Sequence, residues 1–265
     1  MESWLLQNIS TAVLALGIVT VTTGAALGGL VLVRRSVTLS TLESHHDVAG
    51  FILAVVGVVY AVLLAFVVVI VWQQYDAAKG NVDGEAVAIG GLYRDAVALG
   101  DRSGAVRASL TRYTHSVVES EWPEVADHHR GSQATDIALN RVWAALRSTP
   151  AAERQPGAFY DQATERLQNL TELRRRRILQ SGSQLPTPLW FVLIAGAVIS
   201  IGFTYFFGVA NFRAQALMVA ALSSIVGLVL FLVLSLDLPF TGDVGATPHP
   251  IEQVIHEFTH YTTLT

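Results

Sequence analysis

The sequence has no cysteine and little charge. Hydrophobic residues occupy 52% of its 265 positions and charged residues only 14%, whereas soluble domains contain about 25% charged residues. Without cysteine there can be no disulfide, no thiol nucleophile and no thiolate or iron–sulfur metal site. The net charge of −4 provides no basic surface for nucleic acid. Together these shortages exclude a secreted disulfide scaffold, a DNA-binding domain and a fully soluble enzyme.

The few charged residues are concentrated in the middle of the chain. Residues 76–185 contain 28 of the 38 Asp, Glu, Lys and Arg residues, 14 of them acidic and 14 basic. Outside this region, four uncharged stretches each exceed the roughly 20 residues needed to cross the hydrocarbon of a bilayer. These stretches are residues 3–33, 48–75, 178–212 and 214–236. Within them we predict membrane spans at residues 10–33, 48–72, 188–209 and 214–236.

The region between the second and third spans has the pattern of helices. From Val82 to Val97 apolar residues recur at steps of three and four, which predicts that the second helix continues beyond its span as a stalk. Three more helices are expected, the first of them ending at Pro123. No segment alternates with a period of two beside a hairpin turn, so no sheet is expected. The predicted fold is all-α, with spans in 1–75, a helical extramembrane domain at 76–185, spans in 186–242 and a tail at 243–265.

Each predicted span carries small residues at helical spacing. In lipid, such residues mark places where helix backbones touch, either within one subunit or between subunits. They are Gly17, Thr20, Gly24 and Gly28, then Gly50, Ala54, Gly57, Ala61 and Ala65, then Gly196, Ser200, Thr204 and Gly208, and finally Ala216, Ala220, Ser223 and Gly227. Four stripes exceed what one small bundle needs, which predicts subunit contacts. We expect the second span to face a shared pore lined by Gly50, Ala54, Gly57, Ala61, Leu64 and Ala65.

Charged residues lie at the ends of the predicted spans and never inside them. This distribution argues against a proton pump or motor, because such proteins keep an ionisable group in the membrane. A passive channel with a hydrophobic constriction needs no such group. Charges flank spans simply because they cannot enter lipid, but four of them can also form the mouth of an ion pore. These four are Arg34, Arg35, Asp47 and Asp237, and their opposite signs leave the sign of the ion open.

Short elements that combine aromatic residues with glycine, proline or acidic residues occur in order between residues 45 and 242. They are Ala49-Gly50-Phe51, residues 57–64, Trp72, Glu85-Ala86, Leu92-Tyr93-Arg94, Tyr113, Glu121-Trp122-Pro123, Pro188-Leu189-Trp190, Phe206-Phe207-Gly208 and residues 236–242. In these elements the chain resembles the bestrophin-like domain family, bacterial and plant membrane proteins whose name compares them with bestrophins.

The resemblance implies a channel. Bestrophins are pentameric anion channels with four spans per subunit and a cytosolic helical region. By comparison, this chain would form a homo-oligomer, with five subunits as in bestrophins, that conducts inorganic ions. Its second span would line the pore, and residues 55–66 would include a narrow apolar neck. The chain has no acidic cluster like the calcium site of the animal channels, so the resemblance does not extend to calcium gating.

The C-terminal segment contains a zinc-protease pattern, His256-Glu257-Phe258-Thr259-His260. On a helix, His256 and His260 face the same way and can bind Zn²⁺, with Glu257 as a general base. No third ligand follows, and His249 is the nearest remote candidate. We therefore expect no catalytic residue and no cofactor, with His256 and His260 as the metal-ligand candidates in an otherwise solvated tail.

Basic residues near the span ends predict the orientation of the chain. Lys79 and Arg174 to Arg177 number five on one side, against three on the other, Arg34, Arg35 and Arg213. This excess favours a cytoplasmic location for both termini and the 76–185 domain in a multi-pass protein of the cell membrane. Two functions other than a channel remain open. They are a non-conducting membrane scaffold that recruits a partner through its helical domain and, more remotely, a zinc metalloprotease acting through HEFTH.

Overall fold

The computed structural model describes residues 10–37, 46–100, 103–149, 157–207, 209 and 211–263, and these are almost entirely helical. The helices are α1 (Thr11–Ser36), α2 (His46–Ala98), α3 (Gly104–Ser116), a π-helical turn (Val117–Glu121), α4 (Trp122–His128), α5 (Gln133–Arg147), α6 (Gly157–Ser181), α7 (Thr187–Thr204), α8 (Phe212–Asp237) and α9 (His249–Thr263). The described residues contain no strand, which confirms the all-α prediction.

Four of the helices are long and apolar enough to cross a membrane. They are α1, the part of α2 from Gly50 onwards, α7 and α8, which confirms the prediction of four helices that could span a membrane. The third was predicted to reach residue 209, but α7 ends at Thr204. The expected continuation of the second span as a helix is also present, because α2 runs unbroken for 53 residues. Its spanning part combines β-branched and aromatic residues with almost no charge. In lipid these residues form a stable helix because every backbone group is hydrogen-bonded within the helix.

The chain divides into two compact units. The span unit comprises Met1–Gln73, Gln184–Asp237 and Gly242–Val244, and the helical unit comprises Gln74–Ser183, Leu238–Thr241 and Gly245–Thr265. The first division falls inside α2, between Gln73 and Gln74.

Small residues allow the helices of the span unit to approach closely. A Cβ atom at Gly196 of α7 would overlap the Tyr60 ring of α2, and the Tyr60 hydroxyl donates a 3.0 Å hydrogen bond to the Leu193 carbonyl. A Cβ atom at Gly227 of α8 would overlap Thr22 Oγ1 of α1. Lipid supplies no hydrophobic drive between helices, so such close packing is what holds spans together.

The helical unit has a conventional apolar core. Buried side chains from the second half of α2, from α3, α5 and α6 and from α9 form one cluster. On α2 the buried residues include Val82, Ile89 and Ala96, which lie on the face that the sequence pattern predicted. Burial of this face, at about 25 cal/mol per Å² of apolar surface, is the main term that stabilises the unit.

The expectation of a solvated tail is wrong, because α9 is part of the helical unit. Ile251, Val254 and Phe258 are buried in the core cluster, and the Phe258 ring stacks on Tyr93 with 4.1 Å between ring centroids. The three apolar residues follow each other at steps of three and four, which places them on one face of a helix. This apolar spacing overlaps the HEFTH pattern in the sequence, and it is the spacing that determines the packing of α9.

The helix predicted to stop at Pro123 instead continues past it. Pro123 lies in the first turn of α4, which ends at His128. The helical run is continuous with the π-helical turn before Pro123, and that turn accommodates the proline ring and its missing N–H.

We predict that Gly196→Ala destabilises the span unit, whereas Gly202→Ala does not. The new methyl group at residue 196 must displace the Tyr60 ring, and overpacking of this kind costs about 1–3 kcal/mol. A Cβ atom at Gly202, on the same helix, would meet no described atom within 4 Å. Thermal unfolding of both variants in the same detergent measures the difference. Equal unfolding temperatures for the two variants would contradict the close α2–α7 contact.

We also predict that α9 is needed for the stability of the helical unit. Phe258→Ala removes a buried ring, which typically costs about 3–5 kcal/mol. Gln253→Ala is the matched control, because Gln253 is exposed on the same helix. Loss of helicity on heating, followed by circular dichroism, should occur at a lower temperature for Phe258→Ala only. A wild-type unfolding curve for Phe258→Ala would show that α9 does not contribute to the fold.

Candidate functional site

The spanning part of α2 has one face inside the span unit and another facing away from it. Tyr60, Val67 and Val71 are buried, and the Tyr60 ring packs against α7 at Gly196. The opposite side exposes large apolar residues, among them Val58 and Phe66. This outward face is uncharged from Gly50 to the end of the span, so it can face only lipid, another subunit or an apolar passage.

The four stripes of small residues fall into two classes. The described residues of the α7 and α8 stripes face inward, where Gly196 and Gly227 make the close contacts described above and Ser223 is fully buried; Gly208 lies outside the described residues. The stripe of α1 and the alanines of the α2 stripe are exposed and face outward. A Cβ atom at Gly24 or Gly57 would have no described atom within 4 Å. The stripes of α1 and α2 are therefore available for contacts outside one subunit.

The expected pore-lining residues do not all share the outward face. Ala54, Ala61 and Ala65 are exposed. Gly50 is half-buried, and a Cβ atom there would lie 3.7 Å from the Phe207 ring. Gly57 is half-buried as well. Leu64 lies apart from the alanines, since it packs against the buried cluster of Tyr60, Ala197 and Val226.

Two of the four expected mouth residues are held in hydrogen bonds within the span unit. The Arg34 Nε atom donates to Gln215 Oε1 at 2.8 Å, and its Nη2 atom donates to the Val209 carbonyl. Asp237 is only 2% exposed, and its carboxylate accepts hydrogen bonds from the Leu185 N–H and the Trp190 indole. These bonds connect α1 with the start of α8 and with the loop before it, and the end of α8 with Leu185 and the first turn of α7.

The other two mouth residues differ from this pair. Arg35 is exposed at the end of α1. Asp47 belongs to the first turn of α2, and its side chain lies outside the described residues. Of the four, Arg35 is thus the one whose charge the structure places at the surface of the span unit.

The helical unit contains a buried charge network that the sequence analysis did not identify as a site. Arg177 donates from Nε to Glu85 Oε2 at 2.8 Å and from Nη2 to Glu121 Oε1 at 2.7 Å. Arg174 also binds Glu121, with a 3.0 Å hydrogen bond from Nε. The Tyr113 hydroxyl donates to Glu85 Oε1 at 2.9 Å. Two carboxylates and two guanidinium groups thus meet in the interior and balance each other's charge.

Burial and the neighbouring charges together shift the pKa values of Tyr113 and Arg177 in this network. Burial, followed by the charges of Glu85 and Glu121, raises the pKa of Tyr113 well above its usual value, so the phenol stays protonated and donates. Burial by itself would lower the pKa of Arg177, but the charges and hydrogen bonds of the two carboxylates outweigh it and raise that pKa. Arg177 also lies over the Trp122 ring, 5.4 Å from its centroid. A cation over an indole face is stabilised further by the ring quadrupole.

The π-helical turn brings Glu121 into the network. Val106, Tyr113 and Val117 follow one face of α3. In an uninterrupted α-helix, Val125 would lie about 100° away from that face. The π turn at Val117–Glu121 absorbs about one residue, so Glu121 and Val125 return to the buried side. Pro123 accounts for the turn, because its ring clashes with the carbonyl four residues earlier and it cannot donate to it.

Comparison with known families identifies the chain. The family model of the bestrophin-like domain matches residues 20–251. The chain belongs to the bestrophin-like domain family. No curated protein and no solved structure matches it. With four helices that can span a bilayer, this bestrophin-like protein is a membrane protein.

Several elements on which the bestrophin-like resemblance rested come together in the structure. Glu85, Tyr113, Glu121 and Trp122 all belong to the buried network. In the span unit, the Trp190 and Asp237 elements are joined by a hydrogen bond. Motifs far apart in the sequence are therefore in contact within each unit.

The described residues of this bestrophin-like chain do not include a ready-made site with three or more metal ligands. Across the part that the structure describes, no group of three or more His, Asp or Glu side chains is arranged to hold a metal ion. The HEFTH residues lie on α9, as the zinc-protease pattern requires, but no third ligand accompanies His256 and His260 among the described residues.

We predict that Arg177→Met strongly destabilises the helical unit, whereas Arg176→Met does not. Removing Arg177 leaves two buried carboxylates without their main partner, and breaking a buried ion pair costs about 3–5 kcal/mol. Arg176 is an exposed neighbour on the same helix, paired with Glu172, and such surface pairs contribute about 0–1 kcal/mol. Denaturant unfolding monitored by circular dichroism compares the variants. If Arg177→Met and Arg176→Met lowered the free energy of unfolding by similar amounts, the result would contradict a network that depends on Arg177.

Proposed function

We propose that this chain forms a homo-oligomeric ion channel in which the second span lines the pore. The single observation that carries the proposal is the division of the stripes. The described residues of the α7 and α8 stripes are occupied within one subunit, whereas the stripe of α1 and the alanines of the α2 stripe face outward. Exposed small residues give little contact area to lipid, but they allow the backbones of neighbouring subunits to approach closely. Membership of the bestrophin-like family supports the same arrangement.

The chemistry of the outward face of α2 suits a passive pore. Its alanines, Ala54, Ala61 and Ala65, occupy one flank, where a neighbouring subunit can pack. Val58, Val62 and Phe66 lie beside them and are exposed, so they can form the apolar neck expected within residues 55–66. A narrow apolar constriction gates by excluding water and needs no ionisable residue. This matches the absence of charge from all four spans.

The charged residues suggest where ions enter. Because Arg34 and Asp237 are engaged within the span unit, we assign the mouth to Arg35 and, as an expectation from the sequence, to Asp47. An exposed charge repeated by symmetry raises the local concentration of the opposite ion. Five subunits, a cell-membrane location and a cytoplasmic helical unit complete the proposal. They rest on the bestrophin comparison and on the excess of basic residues near that unit.

We predict ion flux from the purified protein in liposomes, and a larger flux for Val58→Ser. A hydroxyl in an apolar neck lowers the cost of wetting it, so conductance should rise. Val198→Ser is the matched control, because it makes the same change on α7 at a similarly exposed position, 66% compared with 64% for Val58. The measurement is the flux of an ion that a fluorescent dye reports. It is made for the wild type and for the two variants at equal protein density in the liposomes.

Two results would contradict the channel. The first is the absence of flux from folded protein. The second is an end-on particle image of a monomer or two-fold dimer without an axial gap. These results would favour the scaffold that recruits a partner through its helical unit. A ring of subunits around a central axis would support the channel.

A further inference from the structure

The outer surface of α9 carries a row of histidines. Ile251, Val254 and Phe258 face the core of the helical unit. At about 100° per residue, the side directly opposite them contains His249, His256 and His260, and all three are exposed. The helix is anchored by its buried face, so its exposed side chains start from fixed backbone positions.

We propose that His256 and His260 form a binding site for a divalent transition metal of the zinc class. Residues four apart on a helix have Cβ atoms about 5–6 Å apart, a separation that two imidazoles can bridge with metal–nitrogen bonds of about 2.0–2.1 Å. His249 cannot join them, because it lies seven residues, or about 10.5 Å of helix, before His256. Two ring nitrogens thus bind the metal, and water completes the coordination.

The position of the pair on α9 favours a cation. Both histidines lie in the last two turns of the helix, which ends at Thr263. The partial negative charge of the carbonyl end stabilises positive charge within the last turn. Imidazole nitrogen is also a preferred ligand of zinc, copper and nickel, whereas magnesium and calcium prefer oxygen. The site should therefore select transition metals over Mg²⁺.

This two-histidine site binds a metal without the chemistry of a protease. Zinc proteases hold their metal with three protein ligands, and within the described residues no third ligand approaches. Glu257 is adjacent to His256, so it points about 100° away around the helix. We therefore exclude it from the ligands and infer no hydrolytic step.

The test uses the full-length protein in detergent, titrated with ZnCl₂ and, separately, with MgCl₂. Wild-type protein should bind zinc and unfold at a higher temperature with it, because a ligand that binds only the folded state stabilises that state. EDTA should reverse the shift, and MgCl₂ should produce none. Calorimetry and metal analysis give the affinity and the number of zinc ions per chain.

Four variants identify the ligands. His256→Ala and His260→Ala should each weaken zinc binding by more than about tenfold, since even the loss of an outer-shell partner costs about 10–100-fold. His249→Ala, on the same face, and Glu257→Gln, between the two ligands, should bind zinc like the wild type. All four positions are exposed, so the fold should tolerate the changes. Unchanged thermal unfolding without metal checks this.

Three outcomes would overturn the site. The first is that the wild type binds no zinc at micromolar concentrations, and the second is that His256→Ala and His260→Ala both still bind it. The third is that His249→Ala or Glu257→Gln loses as much zinc binding as His256→Ala and His260→Ala do. One zinc per two chains, lost in both His256→Ala and His260→Ala, would support the pair and show that two copies share the metal. Ion flux plays no part in this test, so its result is independent of the channel proposal.

Discussion

Close backbone approach in an apolar solvent is the constraint on which the span unit depends. Lipid gives the four spans no hydrophobic reason to associate, so they pack where glycine removes the side chain. Gly196 accommodates the Tyr60 ring, and Gly227 accommodates Thr22. Gly29 similarly leaves room for the Tyr205 hydroxyl, which donates to the Ala26 carbonyl. Each contact combines a missing Cβ with a side chain of the partner helix, and two of them include a hydrogen bond to a backbone carbonyl.

The same constraint divides the surface of the span unit by function. At Gly196, the space that a Cβ atom would occupy is already filled by a side chain of the same unit. Glycine that meets open space, as at Gly24, has no partner for its backbone among the described residues of the unit, and the proposed channel uses such positions for contact between subunits. The channel proposal follows from this difference, and so does the assignment of the alanine flank of α2 to subunit contact. Charge contributes at the ends of the helices, where Arg34 and Asp237 connect helix termini within one subunit.

The helical unit is governed by a different balance. Apolar side chains form its core, but that core also contains two carboxylates and two guanidinium groups. Buried ion pairs of this kind gain little net stability over apolar packing, yet they are costly to break. Their value lies in specificity, because Arg177 bonds to Glu85 of α2 and to Glu121 of the π turn. A shift of either element by one residue would leave a buried charge unpaired.

Local pattern was enough for some predictions and misleading for others. The uncharged stretches identified all four spans, and the steps of three and four from Val82 to Val97 identified the continuation of α2. Pro123 looked like a helix end, because a lone sequence shows the missing donor but not the π turn that accommodates it. The segment after residue 243 was predicted to be a tail from its histidine motif alone, although Ile251, Val254 and Phe258 have the spacing of a buried helix face. That spacing can be seen in the sequence, whereas the stacking of Phe258 on Tyr93 can be seen only in the structure.

The sequence by itself determined the all-helical class, the four spans and the family, because periodicity, uncharged length and short motifs are properties of neighbouring residues. Only the tertiary structure decided which small residues are used within a subunit, which mouth charges are already hydrogen-bonded, and that Glu85, Glu121, Arg174 and Arg177 meet. These outcomes depend on contacts between residues far apart in the sequence, as in the bond from Arg34 to Gln215, which are 181 positions apart. Spacing along one helix specifies which face a residue occupies, but the partner of that face is set by how the helices pack.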